Sequence, residues 1–186
     1  MFSVCLCARF QANLKESHLS AVNRILRYLK HTPSIGLWYP KGASLDLLGY
    51  SDSDFAGSHA DRKSTSRGCH LLGLSLVSWS SKKQNSVALS TAEAEYIAAG
   101  ACCAQILYLK QTLLDFSVKL DRIPLLCDNE SDVKIAKNLV QHSRTKHIDI
   151  RHHFLRDHEA KADISLQGVR SEDVTSRLPK AGPAYI

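Results

Sequence analysis

Residues 17–31 alternate apolar and polar side chains with the period of a helix. The apolar positions that share one face are Leu19, Val22, Ile25, Leu26 and Leu29. The basic positions outside that face are Arg24, Arg27 and Lys30. The pattern predicts an amphipathic helix, which Pro33 and Gly36 bring to an end. Residues 35–39 then favour a strand and residues 40–42 a turn, after which we expect the main domain to begin.

Three strands are predicted in the first part of that domain. Residues 45–51, 68–72 and 74–80 are the predicted strands, and a polar loop, GSHADRKSTSR, separates the first two. Gly73 lies between the second and third strands. This arrangement predicts a hairpin around Gly73.

A long helix is predicted to follow the third strand. Ser90 and Glu93 have the spacing of a capping box, and residues 91–115 are rich in Ala and Leu. The remaining predicted elements are a strand at 123–127, a short helix at 131–138, a helix from about residue 145 and a strand at 164–169.

The element order β-β-β-α-β-α-α-β combines strands that can form hairpins with strands reached through helices. It predicts an α/β fold with a mixed sheet flanked by helices. The chain has 186 residues, which suits one domain with a modest appendage. We assign residues 45–170 to the domain, residues 1–44 to a preceding segment and residues 171–186 to an irregular tail.

Charge changes this picture by indicating a class of partner. The chain has 24 Lys and Arg against 18 Asp and Glu, for a net charge of +6. A basic protein attracts polyanions through counterion release, so nucleic acid is the expected partner. No apolar run approaches the roughly 20 residues that cross a bilayer, so we expect no membrane association.

Six cysteines are present without a C-x-x-C pair, and a chain of this size does not need cross-links to fold. We therefore expect reduced, mostly buried thiols. The N-terminus MFSVCLCARF has no basic segment before its apolar run, which argues against a signal peptide. Both features favour a cytoplasmic or nuclear location.

Three carboxylates occupy comparable places in the predicted elements. Asp52 follows the first strand, Glu95 lies in the first turns of the long helix, and Asp128 ends the strand at 123–127. Such a cluster repels itself unless a cation neutralises it, and Mg²⁺ prefers oxygen ligands. Two ions roughly 4 Å apart can activate water and stabilise a leaving oxygen at a phosphodiester.

The alternative is that these acids are ordinary solvated charges, since spacing alone does not select three from eighteen. The other acids weighed against the three are Asp54, Asp61, Glu93, Asp132 and Asp149. Asp54 would share a strand face with Asp52, and Glu93 has a capping role available.

Histidines and basic residues crowd residues 142–158. A zinc site built on His147, Asp149, His152 and His153 is one hypothesis, but the spacing matches no common zinc pattern. Phosphate contacts or a solvated basic face are the alternatives, and the neighbouring Arg144, Lys146, Arg151 and Arg156 favour phosphate. The same alternatives apply to the basic residues Arg62, Lys63, Arg67, Lys82 and Lys83.

Several motifs resemble one known family. In chain order they are SDSDFAG, SWSSKKQ, LSTAEAEY, CDN and RTKHIDIRHHF. Together they resemble the ribonuclease H region of the Pol polyprotein of copia-type LTR retrotransposons, especially those of plants, over most of residues 45–173. The preceding stretch CARFQANLKESHLSAVNRILRYLKHTPSIGLWYP is similar to the end of the reverse transcriptase of the same polyprotein, so the resemblance implies a polyprotein fragment.

The resemblance implies a ribonuclease H-like fold with a mixed five-stranded sheet, and hydrolysis of RNA in RNA–DNA hybrids. Asp52 of YSD, Glu95 of AEAEY and Asp128 of CDN match the family's catalytic, metal-binding carboxylates. The implied cofactor is two Mg²⁺ ions, with Mn²⁺ as a substitute. The implied partners are the hybrid and other parts of a Pol polyprotein. The residues expected to contact nucleic acid are Lys82, Lys83, Asn129, Arg144, Lys146, His147 and Arg151.

Departures from the family pattern support a second hypothesis. VRSED runs into VTSRLPKAGPAYI instead of a segment ending in A-D-I-F-T-K, whose Asp is the family's fourth active-site carboxylate. Neither Asp163 nor Asp173 matches that position. Arg67 stands where the family usually has Gly. The alternative to an active enzyme is therefore a catalytically inactive retrotransposon remnant that at most binds nucleic acid.

Overall fold

The computed structural model describes residues 2–34, 36–58, 61–128 and 153–169 of the chain. The chain divides into two compact units, and the boundary between the two helices and the sheet lies between Trp38 and Tyr39. The first unit holds helices α1 (Phe2–Ala8) and α2 (Glu16–His31), which contact each other. The amphipathic pattern predicted α2 to within one residue at its start.

Two features of the N-terminal region differ from the sequence-based expectation. Helix α1 was not predicted, because its seven residues are too few to show a helical period. Residues 36–39, the described part of the strand predicted at 35–39, form no strand, since none of the described strands pairs with them. An apolar run becomes a strand only where a neighbouring strand accepts its backbone hydrogen bonds. Tyr39 instead donates a side-chain hydrogen bond to the carbonyl of Leu76 at 2.8 Å.

The second unit is built on a five-stranded mixed sheet. Its strands are β1 (Leu47–Asp54), β2 (Thr65–Leu72), β3 (Ser75–Lys83), β4 (Ile123–Cys127) and β5 (Ile164–Gly168). They lie in the order β3-β2-β1-β4-β5. The β1–β2 and β2–β3 pairs are antiparallel, whereas β1–β4 and β4–β5 are parallel. The mixed five-stranded sheet flanked by helices is confirmed.

The first three strands extend further into polar sequence than predicted. The β1–β2 ladder continues to the pair Asp54 and Thr65, and the β2–β3 ladder to Thr65 and Lys83. Backbone pairing sustains these polar ends, although apolar patterning does not mark them. As a result, Asp52 lies within β1 rather than after it.

The predicted hairpin at Gly73 is present between β2 and β3. Gly73 has φ +59°, and a Cβ added there would clash with the carbonyl oxygen of Ser44. Its amide donates to the carbonyl of Asp46 at 2.8 Å. Glycine is required here both by the left-handed backbone and by this close approach.

Helix α3 (Thr91–Asp115) packs against β1, β2 and β4 and forms the centre of the core. Side chains from the helix and sheet that are fully buried include Cys103, Ile106, Leu125, Ile164 and Leu166. By length and composition α3 is apolar enough to cross a membrane, and its buried residues, such as Cys103 and Ile106, pack in the core. Helix α4 (His153–Ala160), which precedes β5, buries Leu155 in the same core.

Gly49 on β1 allows α3 to approach the sheet closely. A Cβ added to Gly49 on β1 would lie 2.7 Å from Cδ1 of Ile106 and 3.3 Å from Sγ of Cys102. The side chain of Ile106 is itself fully buried. The helix-to-sheet distance therefore depends on the absence of a side chain at Gly49.

The cysteines are free thiols, as predicted. Cys69, Cys102, Cys103 and Cys127 are buried, whereas Cys5 is exposed and Cys7 is half-buried. Burial raises the pKa of the Cys103 thiol to about 12. Nε2 of the buried His70 lies 3.2 Å from the carbonyl oxygen of Cys102 and 3.2 Å from its Sγ.

Candidate metal centre

The parallel pairing of β1 with β4 brings two of the predicted carboxylates to the same edge of the sheet. Ser51 pairs with Cys127 in this ladder; Asp52 follows Ser51 within β1, and Asp128 directly follows the last residue of β4. Asp52 is buried and Asp128 half-buried. Neighbouring parallel strands thus place the two acids side by side.

Glu95 reaches the same place from the start of α3. The Oγ of Ser90 caps this helix by accepting a hydrogen bond from the amide of Glu93 at 3.1 Å. Glu95 lies in the next part of the helix, and its Oε1 accepts a hydrogen bond from the amide of Ser53 at 3.0 Å. This bond ties the carboxylate to the residue beside Asp52.

The three predicted acids form one cluster. One carboxylate oxygen from each of Asp52, Glu95 and Asp128 lies within 4.8 Å of the others. Their catalytic role remains a prediction, but their proximity is a property of the fold. Glu93 has the capping role considered for it, since its Oε2 also accepts a hydrogen bond from the amide of Leu89 at 2.6 Å.

Burial and mutual repulsion favour the protonated acids. The pKa of Glu95 is raised to about 7, first because the carboxyl is buried and then because Asp128 carries like charge. The pKa of Asp52 is also raised, mainly by burial, although the guanidinium of Arg67 opposes this change. Ionising the whole cluster therefore costs free energy unless a cation offsets it.

Arg67 supplies part of that positive charge from β2. It is the direct cross-strand partner of Asp52 in the β1–β2 ladder. Its Nη1 lies 3.4 Å from Oδ2 of Asp52, and its Nη2 lies 3.8 Å from Oδ2 of Asp54. Asp54 and Asp52 are two residues apart and share a strand face, as expected.

The cluster suits a divalent cation with oxygen ligands. Glu95 is 8% exposed, and its Oε2 is buried without a hydrogen bond from any residue that the structure describes. Burying a carboxylate oxygen without a hydrogen bond costs free energy, and coordination to a metal ion would offset that cost. The three carboxylates are the ligand type of Mg²⁺ and Mn²⁺ rather than of zinc.

Two further acids, Asp163 and Asp173, bear on whether the cluster has a fourth carboxylate. Asp163 precedes β5 at the start of the β4–β5 ladder, about 16 Å along the strands from the end of β4 that Asp128 follows. Its Oδ1 lies 3.1 Å from Nζ of Lys110, and its Oδ2 lies 2.8 Å from Nδ1 of His158. Asp163 is therefore not part of the cluster, and Asp173 lies outside the described residues.

The predicted nucleic-acid contacts are only partly within the described chain. Lys82 and Lys83 end β3, and Nζ of Lys83 lies 2.7 Å from Oδ2 of Asp61. The others, which lie outside the described residues, are Asn129, Arg144, Lys146, His147 and Arg151. The short helix at 131–138 and most of the hypothetical zinc cluster also lie outside them.

Sequence reasoning missed Gln84 as a support of the site. Its buried side-chain amide donates to the carbonyl of Ala94 at 2.9 Å and to Oγ of Ser66 at 3.0 Å. Gln84 thus joins the start of α3, one residue before Glu95, to β2. The only signal was a polar residue directly after the third strand, which is too common to single it out.

Comparison with known proteins is consistent with this geometry. No protein-family model matches the chain. The retrovirus-related Pol polyprotein from transposon RE1 of Arabidopsis thaliana is 37% identical over 173 residues, which are 92% of this chain and 12% of that protein. The corresponding protein from transposon TNT 1-94 of Nicotiana tabacum is 39% identical over 184 residues, or 97% of this chain and 14% of that protein.

The chain is a homologue of the retrovirus-related Pol polyproteins of plant transposons. It spans only a small part of the length of these Pol polyproteins, as the coverage shows. Among solved structures, LC11-RNase H1, isolated from compost, matches 74% of this chain and 96% of its own with a TM-score of 0.52 and 13% identity. This likeness shows that the Pol homologue has a ribonuclease H-like fold over the matched part of the chain.

Proposed function

We propose that this chain is the ribonuclease H domain of a copia-type Pol polyprotein and cleaves the RNA strand of RNA–DNA hybrids. The observation that carries the proposal is the convergence of Asp52, Glu95 and Asp128 within 4.8 Å on a ribonuclease H fold. The three residues come from two parallel strands and a helix. The fold therefore assembles carboxylates that are far apart in sequence.

Asp52, Glu95 and Asp128 would hold Mg²⁺, or Mn²⁺ in its place. When bound, two such ions supply water activation and stabilisation of the leaving oxygen. Glu95 is positioned for this role by the Ser53 amide, which fixes one of its oxygens and leaves Oε2 available. Because Asp52 and Glu95 are buried, bulk water solvates their carboxylates poorly, so these carboxylates would interact strongly with a bound cation.

The basic residues supply the expected contacts to the hybrid. A net charge of +6 attracts the phosphate backbone, and Lys82 and Lys83 continue the strand next to β2, which carries Arg67. Ribonucleotide recognition depends on helix shape and 2′-hydroxyl groups rather than sequence. We place this activity in the cytoplasm or nucleus, with other parts of a Pol polyprotein as partners.

The second candidate is a catalytically inactive remnant that binds nucleic acid. The observation that favours it is the ion pair between Arg67 and Asp52, because a fixed guanidinium beside a metal ligand weakens metal binding. This candidate retains the fold and the basic surface. It differs from the first only in metal-dependent cleavage.

Cleavage of an end-labelled RNA–DNA hybrid in Mg²⁺ and in EDTA tests the two candidates. The enzyme hypothesis predicts cleavage that needs the metal and is lost in Asp52→Asn. Asp121→Asn is the matched control, because Asp121 is an exposed aspartate in the connection between α3 and β4. Metal-independent cleavage, or none by the folded wild-type chain, would overturn the enzyme hypothesis.

A further inference from the structure

Arg67 contacts the carboxylate cluster, but the proposed metal-binding function does not use it. Its guanidinium contacts Asp52 at 3.4 Å and Asp54 at 3.8 Å. The Arg67 side chain is 27% exposed and that of Asp52 is 11% exposed. The pair is therefore largely removed from water, where screening by solvent is weak.

The β1–β2 register holds Arg67 in this place. Asp52 and Arg67 face each other directly across the antiparallel ladder, at positions where side chains of neighbouring strands lie about 5 Å apart. The ladder continues on both sides, from Ser51 with Gly68 to Ser53 with Ser66. Backbone pairing thus places the side chains of Arg67 and Asp52 next to each other.

Arg67 neutralises only part of the cluster. It contacts Asp52 and Asp54 from β2, whereas Asp128 follows β4, the strand on the opposite side of β1, and Glu95 comes from α3. A divalent ion held by all three ligands would lie beside a fixed positive charge that shares the Asp52 carboxylate. The ion and the Arg67 guanidinium would both be positive, and like charges close together in a partly buried site repel strongly.

We propose that Arg67 acts as a built-in competitor of the divalent ion at Asp52, so that it lowers the metal affinity of the cluster. This proposal rests on the proposed metal-binding function. Arg67 is a tuning residue here: it sets the metal concentration at which the site fills. Removal of its charge then tightens metal binding without altering any of the three ligands.

Titration with Mn²⁺ tests this directly, because the electron paramagnetic resonance signal of free Mn²⁺ reports binding without any need for activity. The full chain is compared with Arg67→Gln, Arg67→Met and Arg67→Lys. Arg67→Met keeps the apolar stem of the side chain, so it provides a second neutral variant if Arg67→Gln does not fold. Lys119→Gln is the charge-matched control, since Lys119 is exposed beyond the opposite end of α3, about 30 Å along the helix from Glu95.

The two neutral variants are expected to bind Mn²⁺ about tenfold more tightly than the wild type. Arg67→Lys, which keeps the charge, and Lys119→Gln are expected to stay within about twofold of it. Binding by a neutral variant with no detectable binding by the wild type would equally support competition.

Equal or weaker Mn²⁺ binding by the folded neutral variants would overturn the role of Arg67 and leave the metal site intact. If neither the wild type nor any folded variant binds Mn²⁺, the metal site fails, and both the competition and the proposed nuclease function fail with it. The two failures are thus distinguished by whether the wild-type chain binds the ion.

Discussion

The amide of Ser53 donates a hydrogen bond to Oε1 of Glu95 at 3.0 Å, which joins helix α3 to the strand that carries Asp52. The second oxygen of Glu95 is buried and accepts no hydrogen bond from the described residues, so the carboxylate is oriented through Oε1. This orientation makes Glu95 the most informative residue for mutation.

Glu95→Gln is expected to abolish hybrid cleavage, with a loss of at least about 100-fold in rate. The amide keeps the size of the side chain and an oxygen for the Ser53 amide, but it removes the negative charge. Cleavage rates and Mn²⁺ titration measure the two effects. Glu93→Gln is the matched control, since Glu93 caps the same helix outside the cluster; an equal loss in both variants would contradict the role of Glu95.

The pH dependence of stability provides a test without substrate. The pKa of Glu95 is about 7 in the folded chain against an ordinary 4.5, so between these values the folded chain holds more protons than the unfolded one. The contribution of Glu95 to the free energy of unfolding therefore falls as pH rises through this range, by about 3 kcal/mol at most.

Urea unfolding in EDTA at pH 5 and pH 7.5 measures this effect. Glu95→Gln cannot ionise, so its stability relative to the wild type should increase between the two pH values. Added Mg²⁺ should raise the wild-type stability at pH 7.5 and leave the variant almost unchanged. A constant difference between the two chains would show that Glu95 titrates normally.

Gly49→Ala is expected to destabilise the second unit by about 1–3 kcal/mol. The new methyl group would meet the buried side chain of Ile106 at 2.7 Å and push α3 away from the sheet. Gly100→Ala provides the contrast, because a Cβ there meets nothing within 4 Å and helix α3 gains propensity. Chemical unfolding should therefore show opposite signs for the two variants; the same sign would contradict this packing.

Thiol reactivity tests the burial of the cysteines. Ellman's reagent is expected to modify Cys5 and Cys7 rapidly in the native chain, whereas Cys69, Cys102, Cys103 and Cys127 react only as the core opens. Burial raises the pKa of the Cys102 and Cys103 thiols, which suppresses their reactive thiolate. Full reaction of all six without denaturant would contradict the described core.

Much of the fold was predictable because its decisive signals are local. The helix at Thr91–Asp115 and the strand at Ile123–Cys127 have the predicted bounds, since capping residues and apolar patterning mark their ends. The polar ends of β1, β2 and β3 were missed, because there the backbone ladder rather than side-chain patterning continues the strand. Helix α1 is too short to show a helical period.

The sequence by itself determined the order of elements, the basic character of the chain and the three acids that its motifs single out. Only the tertiary structure decided that Asp52, Glu95 and Asp128 meet, that Asp163 lies at the other end of β4, and that Arg67 pairs with Asp52. The physical reason is strand register. Which side chains face each other across a sheet depends on how distant segments align, and a shift of one residue would turn Arg67 to the opposite face.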